Sequence, residues 1–150
     1  MNTIYDELHE SHEKQRSLCR SLVRSKPGEH RQSVFTELRI ELAAHAAAEE
    51  RYLYAVILME DAGLKSSRHA LSEHHEIDEI IEDMQKTELS SSGWLPRARK
   101  LSEKVHHHLR EEEKKFFQVS GKLLSNTAKV KLGRQYKKDY LRMHKKLSAG

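Results

Sequence analysis

The chain has 150 residues, of which 37% are hydrophobic and 33% are charged, with a formal net charge of +4 and a single cysteine. This length suits one domain, the single cysteine excludes a disulfide framework and a thiolate metal cluster, and no apolar run approaches the roughly 18 residues of a membrane span. Acidic and basic residues alternate along most of the chain, so we expect neither nucleic acid nor a membrane as partner, and the unpaired thiol favours a reducing, cytoplasmic location.

The sequence predicts four long amphipathic helices and a shorter fifth helix. Apolar residues recur at helical spacings, and only 6 Gly and 2 Pro interrupt the pattern. The predicted helices cover about residues 3–24, 30–61, 67–89, 94–125 and 128–147. Their short connections make neighbouring helices antiparallel. We therefore predict an all-α protein, an up-down-up-down four-helix bundle with an additional short C-terminal helix, in a single domain whose core spans about residues 3–125.

Two of these helices carry a histidine that is followed four residues later by a glutamate. His45 precedes Glu49 in the second helix, and His108 precedes Glu112 in the fourth, at one offset of 63 residues (108 − 45 and 112 − 49). Residues at i and i+4 lie on one face of a helix, so an imidazole nitrogen and a carboxylate oxygen can bind one cation. One such pair is more often a surface ion pair, whereas two facing pairs could hold a pair of metals.

The first and third helices each place a further histidine on the apolar face. His12 lies on the stripe of the first helix. In the third helix two histidines are candidates for this position. The offset of 63 residues from His12 selects His75, whereas the apolar stripe selects His74. We prefer His74 and leave His75 as the alternative.

The remaining histidines and glutamates of these segments are expected outside the centre. His106 and His107 are out of phase with the apolar stripe of the fourth helix, and His69 is expected at the rim. His9 is also expected at the rim, where it could act as a spare ligand. The neighbouring Glu50 and Glu113 are expected to face solvent or to support the ligands.

The resulting set contains four imidazoles and two carboxylates, which are His12, His45, Glu49, His74, His108 and Glu112. Burying two uncompensated carboxylates in an apolar bundle costs several kcal/mol for each charge, and bound cations remove this cost. Nitrogen and oxygen ligands without sulfur suit iron, manganese or zinc. Carboxylates from two helices can bridge two metals while the imidazoles complete the ends, which leaves positions for an oxo or hydroxo bridge and for O₂, nitric oxide or peroxide.

Four segments together are similar to the hemerythrin-like, or HHE cation-binding, domain family: L-H-E-S-H ending at His12, H-A-A-A-E-E-R-Y-L-Y from His45, S-E-H-H-E-I around His74 and H-L-R-E-E-E-K-K-F-F from His108. The resemblance covers about residues 3–121. It implies a left-handed four-helix bundle around a non-haem, oxo-bridged di-iron site with the same six residues as ligands, in which zinc or manganese could substitute for iron.

The sequence departs from the oxygen-carrying members of that family on the third helix. Those members have a fifth histidine from a His-x-x-x-His pair, whereas Ala70 and Asp78 stand four residues before and after His74 here. The chain therefore resembles the bacterial members with four histidines and two glutamates.

These observations favour a di-iron protein that binds or senses O₂, nitric oxide or peroxide, or that handles iron. The first alternative is an enzyme that decomposes peroxide or reduces nitric oxide, which would need a general acid or a redox-active side chain. Tyr5 and Tyr52 are candidates, although both suit core packing, and we assign no catalytic residue. The second alternative is a metal-stabilised helical adaptor that acts through the basic C-terminal segment at residues 129–146.

Overall fold

A computed structural model describes residues 1–149 and shows an all-α fold, as predicted, with no strand in that range. Of its five helices, the C-terminal one has 24 residues and is not shorter than the first, which has 21. Helix α1 spans Ile4–Arg24, α3 spans Leu64–Gln85 and α5 spans Asn126–Ala149. Helix α2 runs from Glu29–Glu49 through the π-helical turn Glu50–Tyr54 to Ala55–Leu58, and α4 runs from Trp94–Glu111 through the π-helical turn Glu112–Phe116 to Phe117–Leu123. Within residues 1–149, no helix is both long enough and apolar enough to cross a membrane.

Helices α1 and α3 begin in different ways, one with a side-chain cap and the other without. Thr3 caps α1 through a reciprocal hydrogen-bonded pair with Asp6. Helix α3 begins at Leu64, directly after the 3₁₀ turn Asp61–Gly63, and therefore starts three residues before the predicted position near residue 67. Ser67 is instead buried inside the helix.

The core consists of two apolar clusters separated by a polar layer. One cluster includes Cys19 of α1 and Leu101 of α4, and the other includes Leu8 of α1 and Phe116 of α4. His12 of α1 and His74 of α3 lie between the residues that their helices contribute to the two clusters, and the histidine–glutamate pairs of α2 and α4 lie where those contributions meet. Cys19 is fully buried, and burial raises the pKa of its thiol to about 12, so it behaves as a small apolar side chain.

Helix α5 folds back onto the bundle and packs along α1 and α2. The close approach requires Gly133, because a Cβ atom there would lie 2.8 Å from the backbone nitrogen of Ile4. Further along α5, Asp139 pairs with Arg51 of α2 at 2.8 Å, and the hydroxyl of Tyr140 donates to Glu41 of α2 at 2.6 Å. The basic C-terminal segment is therefore part of the bundle wall.

Candidate metal centre

The structure brings the six predicted residues together in the layer between the apolar clusters, and each is at most 8% exposed. They form two overlapping groups whose ligating atoms lie within 4.8 Å of one another. The first group contains His12, His45, Glu49 and Glu112, and the second contains Glu49, His74, His108 and Glu112. Both glutamates belong to both groups, and each group has its own two imidazoles. Such sharing is what two neighbouring cations bridged by carboxylates would require.

In the first group, the atoms that face the shared space lie close together without forming hydrogen bonds. His12 Nε2 is 3.2 Å from Glu112 Oε1, and His45 Nε2 is 3.2 Å from Glu49 Oε1. Within residues 1–149 no hydrogen-bond partner is present for His12 Nε2, His45 Nε2, Glu112 Oε1 or either carboxylate oxygen of Glu49. Unpaired buried polar atoms cost free energy, and coordinated cations would remove that cost.

The second group contains the same kinds of ligand, two imidazoles and the two shared carboxylates, and one additional hydroxyl. His74 Nε2 lies 3.3 Å from Glu49 Oε1 and 3.1 Å from His108 Nε2. The hydroxyl of Tyr54 donates to Glu112 Oε2 and lies 3.4 Å from His74 Nε2. Tyr54 is fully buried, so its hydroxyl belongs to the polar layer.

Each of the four imidazoles is held at its other nitrogen, Nδ1, by an oxygen of another helix. The pairs are His12 with Glu113 at 2.8 Å, His45 with the Tyr136 hydroxyl at 2.8 Å, His74 with Glu50 at 2.8 Å and His108 with Glu73 at 2.9 Å. A bond at Nδ1 fixes the plane of the ring and leaves Nε2 free to ligate a metal. The four rings are therefore oriented with Nε2 towards the shared space.

The π-helical turns explain how Tyr54 reaches this layer. An α-helix turns about 100° per residue, so a residue at i+5 points about 140° away from residue i. In the π turns the Ala55 N–H donates to Glu50 O and the Phe117 N–H donates to Glu112 O, so each turn contains one extra residue. This extra residue brings Tyr54 back towards the face of Glu49, five positions earlier.

The charges in the layer compensate one another even without a cation. Burial would lower the pKa of His12, but Glu112 and Glu113 raise it to about 9. Burial would likewise lower the pKa of His74, and its carboxylate neighbours raise it to about 10. Burial would raise the pKa of Glu49, but His45 and His74 hold it well below its ordinary value. Protonated imidazoles thus offset the buried carboxylates, and metal binding would release these protons.

The comparisons with known proteins agree with this geometry. The family model described as the hemerythrin HHE cation-binding domain matches residues 3–119. The chain belongs to this family. A crystal structure of a hemerythrin HHE cation-binding domain-containing protein from Mycobacterium kansasii is similar, with a TM-score of 0.89 and 22% sequence identity over 97% of this chain and 90% of that chain. At this identity the likeness shows the HHE fold. No curated protein sequence matches the chain.

The HHE domain places the remaining candidates outside the layer. His74 lies in the layer, whereas the alternative His75 is exposed and pairs with Glu79 at 3.2 Å. His9 is also exposed, with Nδ1 at 2.9 Å from Glu113. His9 therefore lies at the rim, as predicted, and contacts Glu113, the residue that holds His12.

The tyrosines at the centre of the HHE domain are not those that the sequence suggested. Tyr5 bonds to Ser120 at 2.7 Å, outside the six-residue layer. Tyr54 and Tyr136 reach the layer instead. Helical periodicity could not indicate Tyr54, because the π turn shifts its phase, and no local signal marks Tyr136, which is 91 residues from His45.

A cavity of about 270 Å³ between α3 and α4 connects the surface of the HHE domain to this layer. Its lining includes the ligand candidates His108 and Glu112 and the buried apolar residues Ala70 and Phe116. Its outer part is formed by exposed side chains, among them Lys115. Small molecules could therefore reach the polar layer between these two helices.

Proposed function

We propose that this HHE domain holds two iron ions in its polar layer and that it binds or senses a small ligand there, such as O₂, nitric oxide or peroxide, or handles iron. The observation that carries the proposal is the sharing of Glu49 and Glu112 by two groups that each contain two histidines. His12 and His45 would hold one ion, and the remaining two histidines the other. The two carboxylates would bridge them.

The donor set fits iron well. It offers four imidazole nitrogens and two carboxylates, without sulfur, which suits iron and also manganese or zinc as substitutes. Bound cations would replace the protons that now offset Glu49 and Glu112, and they would engage the oxygen atoms that lack hydrogen bonds. Iron bound at such a site, with an oxo or hydroxo bridge, supplies open coordination positions and a change of oxidation state for a small ligand.

The cavity between α3 and α4 favours a small ligand over a larger substrate. Its volume of about 270 Å³ lies just below the range of roughly 300–1,000 Å³ that is typical of pockets for drug-sized molecules. The buried Ala70 and Phe116 line it near the layer, so its inner wall is partly apolar. These features are compatible with the entry of a molecule of a few atoms.

A second candidate function is turnover of peroxide or reduction of nitric oxide at the same centre, and Tyr54 favours it. Burial, together with Glu112 and Glu49, raises the pKa of the Tyr54 hydroxyl well above its ordinary value. The hydroxyl therefore keeps its proton at neutral pH and can act as a hydrogen-bond donor beside His74 and Glu112.

The first test is metal content together with an ultraviolet–visible spectrum of protein produced with iron. We expect about two iron ions per chain, as in other bundle centres with bridging carboxylates, and oxo-to-iron charge-transfer bands that respond to dithionite and air. His108→Ala should lose iron, and the surface variant His75→Ala should keep it. One zinc ion or no metal, with a featureless spectrum, would overturn the proposal and favour a helical adaptor.

A second test separates binding from catalysis. The iron-loaded protein is mixed with hydrogen peroxide and, separately, with nitric oxide, and consumption is followed over many equivalents. Spectral changes that stop at one equivalent indicate a binding or sensing protein. Continued consumption that is lost in His108→Ala indicates an enzyme.

A further inference from the structure

The outer faces of α3 and α4 carry a second arrangement of histidine–glutamate pairs beside the cavity mouth. His69 and Glu73 stand at i and i+4 in α3, and His107 and Glu111 stand at i and i+4 in α4. His69 Nε2 lies 2.8 Å from Glu111 and 3.6 Å from Glu73. His107 Nε2 lies 2.9 Å from Glu111 and 3.7 Å from Glu73. Each imidazole therefore approaches one carboxylate of its own helix and one of the other helix, His69 through the Oε1 atoms and His107 through the Oε2 atoms.

We propose that His69, Glu73 and Glu111, whose ligating atoms lie within 4.8 Å of one another, form a peripheral site for one divalent transition-metal ion outside the six-residue layer, with His107 beside it as an alternative nitrogen ligand. A tetrahedral ion with bonds of about 2.1 Å separates its ligand atoms by about 3.4 Å. The distances from His69 Nε2 to Glu111 Oε1, 2.8 Å, and to Glu73 Oε1, 3.6 Å, bracket that value, whereas His107 approaches the other oxygen of each carboxylate. Small side-chain rotations would thus suffice to bind the ion. An imidazole together with two carboxylates suits Zn²⁺ or Fe²⁺ better than Mg²⁺ or Ca²⁺, which prefer oxygen ligands alone.

The nearby ammonium groups do not compensate these carboxylates fully. Lys104 Nζ lies 3.8 Å from Glu73 but 2.5 Å from Glu76, which is its closer partner. Lys115 Nζ is 4.0 Å from Glu111, and its side chain is exposed. Glu73 is itself buried. A cation bound between Glu73 and Glu111 would therefore meet two carboxylates whose ammonium partners lie no closer than 3.8 Å.

Two other histidine–glutamate clusters on the surface are less suited to binding a cation. His9 approaches Glu113, but Arg16 already binds that carboxylate through two nitrogens at 2.7 and 3.2 Å. His75 and Glu79 form a single exposed pair within one helix. The first cluster already contains a permanent cation, and the second has too few ligands, so the pair of His75 and Glu79 provides a matched control.

The position of the peripheral site gives it contact with the candidate centre. Glu73 Oε1 accepts a hydrogen bond from His108 Nδ1 at 2.9 Å, so one carboxylate belongs to both arrangements. His69, Glu73 and Glu111 also line the cavity of about 270 Å³ that reaches Glu112. An ion bound here would stand at the cavity mouth.

The site is tested by titrating metal-free protein with Zn²⁺ against a chromophoric chelator and by counting the ions bound per chain. The double variant His69→Ala/His107→Ala removes two side chains that are 56% and 55% exposed, so the fold should be retained, as circular dichroism can verify. We expect this variant to bind one ion fewer than the original protein. His75→Ala should bind the same number as the original protein. Because the readout is a difference of one ion, it is independent of how many ions the six-residue layer binds.

Two further measurements make the test decisive. Glu111→Gln should weaken the same class of site by at least about tenfold, because it removes one ligand. With Co²⁺ in place of Zn²⁺, the visible bands of a tetrahedral ion should appear in the original protein at one additional equivalent and be absent from the double variant. Equal numbers of ions with equal affinities in all these proteins would overturn the proposal.

Discussion

Tyr54 and Phe117 occupy equivalent positions in the two halves of the bundle, five residues after Glu49 and Glu112 respectively. The ring of Tyr54 lies 5.2 Å from that of His74, and the ring of Phe117 lies 5.8 Å from that of His12. The two halves of the layer therefore match in their ligand candidates, but at these equivalent positions one half has a tyrosine hydroxyl and the other has none. The hydroxyl lies in the half that contains His74 and His108, and the cavity reaches that same half. We expect an exogenous ligand to bind there.

Replacing Tyr54 with Phe removes this hydroxyl without removing a ligand candidate. We expect unchanged iron content and a metal-free protein that is less stable by about 1.5–3 kcal/mol, because a hydrogen bond to a charged group is lost. Urea unfolding with iron analysis measures both quantities. Tyr5→Phe, which removes a hydroxyl bonded only to Ser120 among the described contacts, is the control. If the protein consumes peroxide, Tyr54→Phe should slow it by about tenfold or more. A loss of iron would contradict this assignment.

Tyr136→Phe tests whether α5 takes part in the centre. The Tyr136 hydroxyl is the partner of His45 Nδ1, and removing a group that orients a metal-ligating histidine typically weakens metal binding by about 10- to 100-fold. Competition with a chelator measures this affinity. Tyr140→Phe removes the neighbouring hydroxyl, which bonds to Glu41 instead, and should leave the affinity unchanged. If Tyr136→Phe and Tyr140→Phe both bind metal as tightly as the original protein, α5 covers the bundle without influencing the ligands.

Metal removal should destabilise the fold. An ion bound only to the native state contributes about 4 kcal/mol at a thousandfold excess over its Kd, and 1 kcal/mol shifts the Tm of a chain of this size by roughly 2–4 °C. We therefore expect a chelator to lower the Tm by on the order of 10 °C. In Glu49→Gln/Glu112→Gln the chelator should have little effect, since both bridging carboxylates are gone. An unchanged Tm in the original protein would argue against buried cations.

Replacing Gly133 or Gly121 with alanine should change the stability of the fold in opposite directions. In Gly133→Ala the new Cβ would lie 2.8 Å from Ile4 N and 2.9 Å from Thr3 C, both in the backbone, so we expect a destabilisation of about 1–3 kcal/mol. In Gly121→Ala the nearest atom is the Tyr5 hydroxyl oxygen at 4.0 Å, and alanine should stabilise the helix by about 0.5–1 kcal/mol. Urea unfolding measures both. Equal effects would show that α5 does not pack tightly against the start of α1.

Helical periodicity predicted the fold and much of the composition of the candidate site. The apolar stripes indicated the long helices, and their phase selected His74 over His75. The structure gathers the six residues that this phase selected, because residues on one helical face remain neighbours when the faces meet in a bundle. The boundaries of α3 were less accurate, since the turn at Asp61–Gly63 leads directly into the helix without a polar cap.

The sequence by itself determined which faces of the helices are apolar and which histidines and glutamates lie on them, because both properties repeat with the period of the helix. Only the tertiary structure decided what holds those side chains. Glu73 supports His108 from another helix, and Tyr136 supports His45 from α5, at separations of 35 and 91 residues. The π-helical turns likewise place Tyr54 where regular periodicity does not. Such contacts depend on how helices cross and where a turn widens, and a local pattern contains no information on either.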